Sequence, residues 1–303
     1  MIKAVFEKMF GGGGQGPMAA YNPSPPPPPL TPYGEYGAGE GGGIGPAFSG
    51  PPYRGMGGEF EGRVVDLRSP SPPLNSAADK PLAVILLSGG LDSCVAAAIA
   101  RRDFQLALLH VNYGQRTVKR ELAAFRAQAA YFRIQQVLEV DLNFLGALGG
   151  SSLTDLQRPV PLQEDDPTEI PSTYVPFRNS LLLSAAAAWA EVLGAQAIFL
   201  GANFLDNPGY PDCRPEYFAA FEQVIELGTR PQTHIRIHTP LIHLDKAGIV
   251  HLGLELGVPL ELTWSCYVND LKACGRCSSC RLRLKGFAAA GVPDPILYED
   301  VKE

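Results

Sequence analysis

Residues 82–102 read LAVILLSGGLDSCVAAAIARR. Leu82–Leu87 is an unbroken apolar run with the length of a buried strand. Ser88, Gly89, Gly90, Leu91, Asp92 and Ser93 follow, and residues 94–102 have the composition of a helix. A strand, a glycine loop and a helix in that order form the place where an open α/β sheet receives a ligand. Gly89 and Gly90 allow a sharp turn and close approach to an anion. The helix behind them offers unpaired N–H groups and a positive dipole end. Two glycines alone would equally suit an ordinary strand-to-helix turn. The loop is neither a Walker loop, since no GK[ST] follows, nor a GxGxxG fingerprint.

Working outward, strand-like and helix-like segments alternate. Residues 104–114 read as a second strand, 120–132 as a helix with Leu122, Phe125, Ala129 and Phe132 on one face, and 135–142 as a third strand. Residues 146–178 are rich in Pro, Ser and Asp and predict a long functional loop. A helix at 179–194, a strand at 195–203, a helix at 215–228 opening on proline and closing on glycine, a strand at 234–242 and a helix at 245–257 complete the series. This alternation predicts a doubly wound α/β fold with a mostly parallel sheet.

The 303 residues divide by composition. Residues 1–80 are so rich in Gly and Pro that they predict a disordered extension, either a docking tail or a segment without a role. Residues 81–260 are expected to form the α/β domain and 261–295 a cysteine-bearing C-terminal region. Hydrophobic residues make up 46% and charged residues 18%, as in a protein with a sizeable core. A formal net charge of −6 argues against a broad nucleic-acid-binding face, so no stable nucleic-acid partner is expected. Arg276, Arg281, Arg283 and Lys285 form a dense basic cluster, read as a tRNA-facing patch or as a solvated helix face. No apolar run reaches about 18 residues, and the N-terminus lacks a secretory pattern. A cytoplasmic protein without membrane spans is expected.

Cys266, Cys274, Cys277 and Cys280 are spaced C-x7-C-x2-C-x2-C. Three of them fall within CGRCSSC, where Gly275 eases a tight turn, and Cys266 closes a tetrahedron. Four sulfur ligands fill zinc's coordination sphere, so one structural Zn²⁺ per chain is expected. An iron–sulfur cluster is the competing metal and buried thiols the alternative. Cys94, in an apolar helix, predicts core packing.

The full SGGLDS string resembles the pyrophosphate loop of ATP pyrophosphatases, which split ATP into AMP and pyrophosphate. With the later motifs added, roughly 70% of the chain, Leu82 to Pro295, resembles the 7-cyano-7-deazaguanine (preQ0) synthases of the queuosine pathway. The motifs occur in that family's order: NYGQR (112–116), SSLT (151–154), VPFRN (175–179), GYPDCRP (209–215), TPL (239–241), DKA (245–247), TWSCY (263–267) and CGRCSSC (274–280). The family often has glycine where Phe177 stands. The resemblance implies a C–N-forming ligase with an adenine-nucleotide-hydrolase-like fold. It would convert 7-carboxy-7-deazaguanine, ammonia and ATP into the nitrile through adenylated intermediates. A relative that stops at the amide, or one that modifies tRNA or DNA, is the alternative.

The resemblance implies ATP binding by Leu87–Ser93. Asp92 would hold Mg²⁺ or orient the loop, since an acidic group does not touch phosphate directly. Arg178, Arg116 and Lys246 are the cations nominated for phosphate or carboxylate charge, each with a salt bridge as its plain alternative. Asn179 stands in register beside Arg178. Asp212 or Asp206 suits the N–H edge of a deazaguanine, with Asp212 otherwise a cap for the helix near Pro215. Tyr210 is a stacking candidate, and Trp264 and Tyr267 are expected to help close the pocket. A homodimer is expected.

Overall fold

The computed structural model describes residues 80–162, 169–205 and 209–300. The expected 1–80 extension lies, but for Lys80, outside them. Five strands build one sheet: β1 (Leu82–Leu86), β2 (Gln105–Asn112), β3 (Val137–Asp141), β4 (Ala197–Leu200) and β5 (Arg236–His238). Their order is β3-β2-β1-β4-β5 and every neighbouring pair is parallel, which makes the sheet doubly wound as expected. The winding reverses at β1, so the crevice beyond the carboxyl ends of β1 and β4 is the topological switch point.

The period-two alternation of the central strands divides the core. Ala83, Ile85 and Leu87 face one layer with Leu106, Leu108, Ala197 and Phe199. That layer is covered by α1 (Leu91–Ala100), α2 (Val118–Phe132), α6 (Lys246–Glu255) and, through Phe287, α7 (Ser278–Ala289). Val84, Leu86, Leu109, Ile198 and Leu200 face the other layer, under α4 (Arg178–Leu193) and α5 (Pro215–Gly228). α3 (Phe144–Leu148) is a short turn of helix before the long 149–177 connection. Cys94 is fully buried in the first layer, where desolvation pushes its thiol up to about 12. It is a packing residue, as its apolar helix suggested.

Some boundaries differ from expectation. α1 begins at Leu91, inside the glycine loop, because the loop itself delivers the first helical turn. β5 ends at His238, since Pro240 has no N–H to give a ladder and residues 239–244 turn back on themselves. Gly228 lies within α5, and Thr229 caps it. Phe177 precedes α4 with φ of 59°, the left-handed conformation that glycine adopts freely. The turn therefore keeps a glycine-like shape without glycine, and the Phe177 N–H donates to the Tyr174 hydroxyl at 3.0 Å.

Candidate active site

The Ser88–Ser93 loop sits at the switch point. Gly89 has φ of +90°, and a Cβ there would meet the Glu121 carbonyl oxygen at 2.5 Å. Ser93 ties the loop together. Its hydroxyl donates to the Gly90 carbonyl at 3.1 Å and accepts the Ser88 N–H at 3.2 Å. The Gly90 N–H donates to Ser88 Oγ at 3.1 Å. Distant residues hold the loop from outside. Gln128, fully buried on α2, donates to the Gly89 carbonyl at 2.8 Å, and the Trp264 N–H donates to the same oxygen at 2.9 Å. Gly201, just after β4, packs so closely that a Cβ would lie 2.5 Å from the Ser93 nitrogen. Neither Gln128 nor Gly201 was legible as a site residue, because their partners lie far away in sequence.

Asp92 and Lys246 meet here. Lys246 Nζ donates to both Asp92 carboxylate oxygens at 2.8 Å, with both side chains largely shielded. Lys246 opens α6, whose N-cap is Asp245, accepting the Gly248 N–H at 2.8 Å. Its stem crosses α7 at Gly286, where a Cβ would clash with Lys246 Cβ and backbone. The expected acid and cation are thus one ion pair beside the loop.

Both residues line a cavity of about 280 Å³ that runs from the loop to an aromatic end. Ser88, Gly90, Leu91, Ser93, Arg178, Asn179 and Tyr210 line it too, as do Trp264 and Tyr267. Arg178 Nη1 donates to the Tyr113 hydroxyl at 3.2 Å, and its guanidinium lies 5.2 Å from that ring. Arg178 Nε is buried with no hydrogen-bond partner among the described residues. Tyr210 Oη and Thr173 Oγ1 are 2.6 Å apart, and burial pushes the Tyr210 phenol up to about 12.

Two expected ligand contacts are placed elsewhere. Arg116 does not line the cavity. Its guanidinium donates to the carbonyls of Ser152 and Asp155 at 2.7 Å, and to that of Arg158, pinning the long loop. Asp212 is also absent from the lining, 3% exposed, and accepts the Asn179 N–H at 3.0 Å. Its Oδ2 caps α4, not α5. The Asn179 amide donates to the Asp212 backbone carbonyl at 2.8 Å, and Asp212 Oδ1 is buried with no hydrogen-bond partner among the described residues. Asp206 lies outside the described residues.

The four cysteines converge. All are buried, and their sulfurs lie within 4.8 Å of one another. Cys266 Sγ accepts N–H groups of Val268, Asn269 and Cys274, and Cys274 Sγ accepts those of Arg276 and Cys277. Contacts from Cys277 and Cys280, followed by backbone N–H groups, favour the Cys266 thiolate strongly. This donor set can hold a metal ion. The 296–299 segment closes over it, with hydrogen bonds between Ala273 and both Leu297 and Glu299. Arg283 is no part of a solvated basic face. It is 1% exposed and makes a two-pronged pair with Asp294 at 2.7 and 2.9 Å. Neighbouring Arg281 donates to the Leu162 carbonyl.

A glycine loop at the switch point of a parallel sheet, beside an ion pair and a cavity, defines an α/β nucleotide-binding enzyme. The chain belongs to the family described as queuosine biosynthesis protein QueC, whose model matches residues 82–291. It is 56% identical over 218 residues to the 7-cyano-7-deazaguanine synthase of Chlorobium chlorochromatii, covering 72% of this chain and 96% of that protein. The corresponding synthase of Chlorobaculum parvum is 53% identical with the same coverage. Among solved structures, the U34-tRNA thiolase NcsA from Methanococcus maripaludis, with its [4Fe-4S] cluster, is 16% identical, with a TM-score of 0.39. That match covers 60% of this chain and 57% of the thiolase.

Proposed function

We propose that this chain converts 7-carboxy-7-deazaguanine, ammonia and ATP into 7-cyano-7-deazaguanine. The observation that carries the proposal is the pairing of strong similarity to synthases of that name, over 96% of their length, with an intact loop at the switch point. A carboxylate is a poor electrophile, and AMP is a good leaving group. The substrate carboxylate oxygen attacks the α-phosphate and pyrophosphate departs. Ammonia then adds to the acyl carbon, AMP leaves, and a proton is lost, giving the amide. The amide oxygen attacks a second α-phosphate, and loss of AMP and the remaining N–H protons gives the nitrile. Both activations are nucleotidyl transfers, so one loop serves twice.

The backbone N–H groups of the loop and of the first turn of α1 suit the pyrophosphate. Lys246 neutralises phosphate charge, and Asp92 orients it or meets the Mg²⁺ that accompanies ATP. Arg178, with its unpartnered Nε, suits the substrate carboxylate or its adenylate. Zinc is the metal the cysteine cluster fits best. A Zn–S bond of about 2.3 Å implies a tetrahedral edge of about 3.8 Å, and the Cys274 and Cys280 sulfurs are 3.9 Å apart. An iron–sulfur cluster would hold the thiolates wider apart around its own iron and sulfide atoms. With its four positions filled by sulfur, the ion supplies structure.

Incubation with 7-carboxy-7-deazaguanine, ammonium and Mg-ATP tests the proposal. Mass spectrometry should find the nitrile, with AMP and pyrophosphate as the nucleotide products. ADP and phosphate, or no turnover, would overturn it.

A further inference from the structure

The deazaguanine ring presents two adjacent donors, the ring N–H and the 2-amino group. A carboxylate accepts both at once. Asp212, whose Oδ2 caps α4, is not among the residues lining the cavity, and the carboxylates that do line it among the described residues are Asp92 and Glu121. Asp92 is taken by Lys246. Glu121 stands in the first turn of α2 and faces the cavity near Tyr113 and Arg178.

The Glu121 carboxylate is held from two sides. Thr117 Oγ1 donates to Oε1 at 2.7 Å, and Gln115 Nε2 donates to Oε2 at 3.1 Å. Both supports are buried, at 2% and 5% exposure. Gln115 is itself fixed, because its Oε1 accepts the Tyr113 N–H at 2.8 Å. Each carboxylate oxygen has a further lone pair, so one donor per oxygen leaves the group able to accept two more. This is a carboxylate with a fixed rotamer and spare acceptor capacity, in a cavity also lined by Tyr113, Tyr210 and Tyr267. Flat aromatic walls suit a planar heterocycle.

We infer that Glu121 is the specificity-determining acceptor for the 2-amino and ring N–H edge of the deazaguanine, with Gln115 and Thr117 as its positioning residues. The inference rests on the proposed synthase reaction. Burial raises the Glu121 pKa, and the Thr117 and Gln115 donors oppose that rise. Two further donors arriving with the substrate favour the ionised form again. An analogue that presents an oxygen at position 2 would set acceptor against acceptor, leaving the buried carboxylate unsatisfied and repelled. Sites built on a buried polar pair discriminate strongly for this reason.

The test compares 7-carboxy-7-deazaguanine with its 2-oxo (xanthine-type) counterpart in wild type and in Glu121→Gln. Wild type should prefer the 2-amino substrate by at least about 100-fold in kcat/KM. In Glu121→Gln the amide oxygen still accepts the ring N–H, while its NH2 donates to the 2-oxo group. The preference should therefore move toward the 2-oxo substrate by about 100-fold. Glu121→Asp, which keeps the charge, should retain the wild-type direction. Mg-ATP affinity and melting temperature report whether each variant is folded. Equal use of both substrates by wild type overturns the inference even if no variant folds. A folded Glu121→Gln that loses kcat with unchanged substrate preference overturns it as well. Absence of wild-type turnover on the 2-amino substrate is a different result, and it overturns the synthase reading on which the inference stands.

Discussion

The Ser88–Ser93 loop and the Cys266–Cys280 cluster are both short motifs, built in opposite ways. The loop is six consecutive residues whose own hydroxyls and carbonyls close it, with its concave side toward a cavity. The cluster is spread over fifteen positions and sealed, with all four sulfurs buried and 296–299 laid across it. An anion-binding loop must keep N–H groups available for a ligand that comes and goes. A four-thiolate site has no open position and serves by tying chain segments together. Trp264 links the two regions, since its N–H holds the loop while its ring packs with the cysteines.

The largest effect is expected from Asp92→Ala. It removes the carboxylate that receives both Lys246 contacts beside the Ser88–Ser93 loop. Turnover should fall by at least about 1,000-fold, roughly 4 kcal/mol of transition-state stabilisation, with the circular dichroism spectrum unchanged. A fully active variant would remove Asp92 from the chemistry and leave the loop a structural turn like the cluster. Cys277→Ser should act in the reverse sense. Metal content, read by elemental analysis, should fall from one per chain toward zero, and the melting temperature should drop by roughly 10 °C. Activity then follows stability. If X-ray absorption on the wild-type enzyme finds three sulfurs and a light-atom ligand instead of four sulfurs, the cluster is an open site after all.

Gly201→Ala asks how far the loop depends on its surroundings. Its Cβ would press on the Asp92 carbonyl group and the Ser93 nitrogen, backbone atoms that cannot swing aside. A loss of about 2 kcal/mol is expected by denaturant unfolding, with KM for ATP raised. An unchanged KM would show that the loop closes independently of β4.

The alternation of apolar runs and helical faces made the doubly wound sheet legible, because period two and period 3.6 are local signals. The loop and the cysteines were legible for the same reason, as residue types at fixed spacing. The fates of Arg116 and Asp212 were not. Each carries a charge that equally suits a ligand or a backbone partner, and the choice depends on which carbonyls or N–H groups come near. For Arg116 those lie 36 to 42 residues away, and for Asp212 the partner is 33 residues away. Arg283 likewise reads as one more base in a charged helix until Asp294 is seen to bury it.

The sequence by itself determined the order of strands and helices, the Ser88–Ser93 glycine loop, the four-cysteine donor set and the family. Each of these depends on neighbours along the chain. Tertiary structure alone decided the strand order with its switch at β1, the Lys246–Asp92 pair, Gln128 and Gly201 behind the loop, and Glu121 as an acceptor held ready in the cavity. These depend on contacts closed across 39 to 154 residues for the loop and the ion pair, and on which polar groups the fold leaves facing the cavity. Burial makes an unmet hydrogen bond costly, so the assembled fold settles which charged side chains serve the backbone and which remain for a ligand.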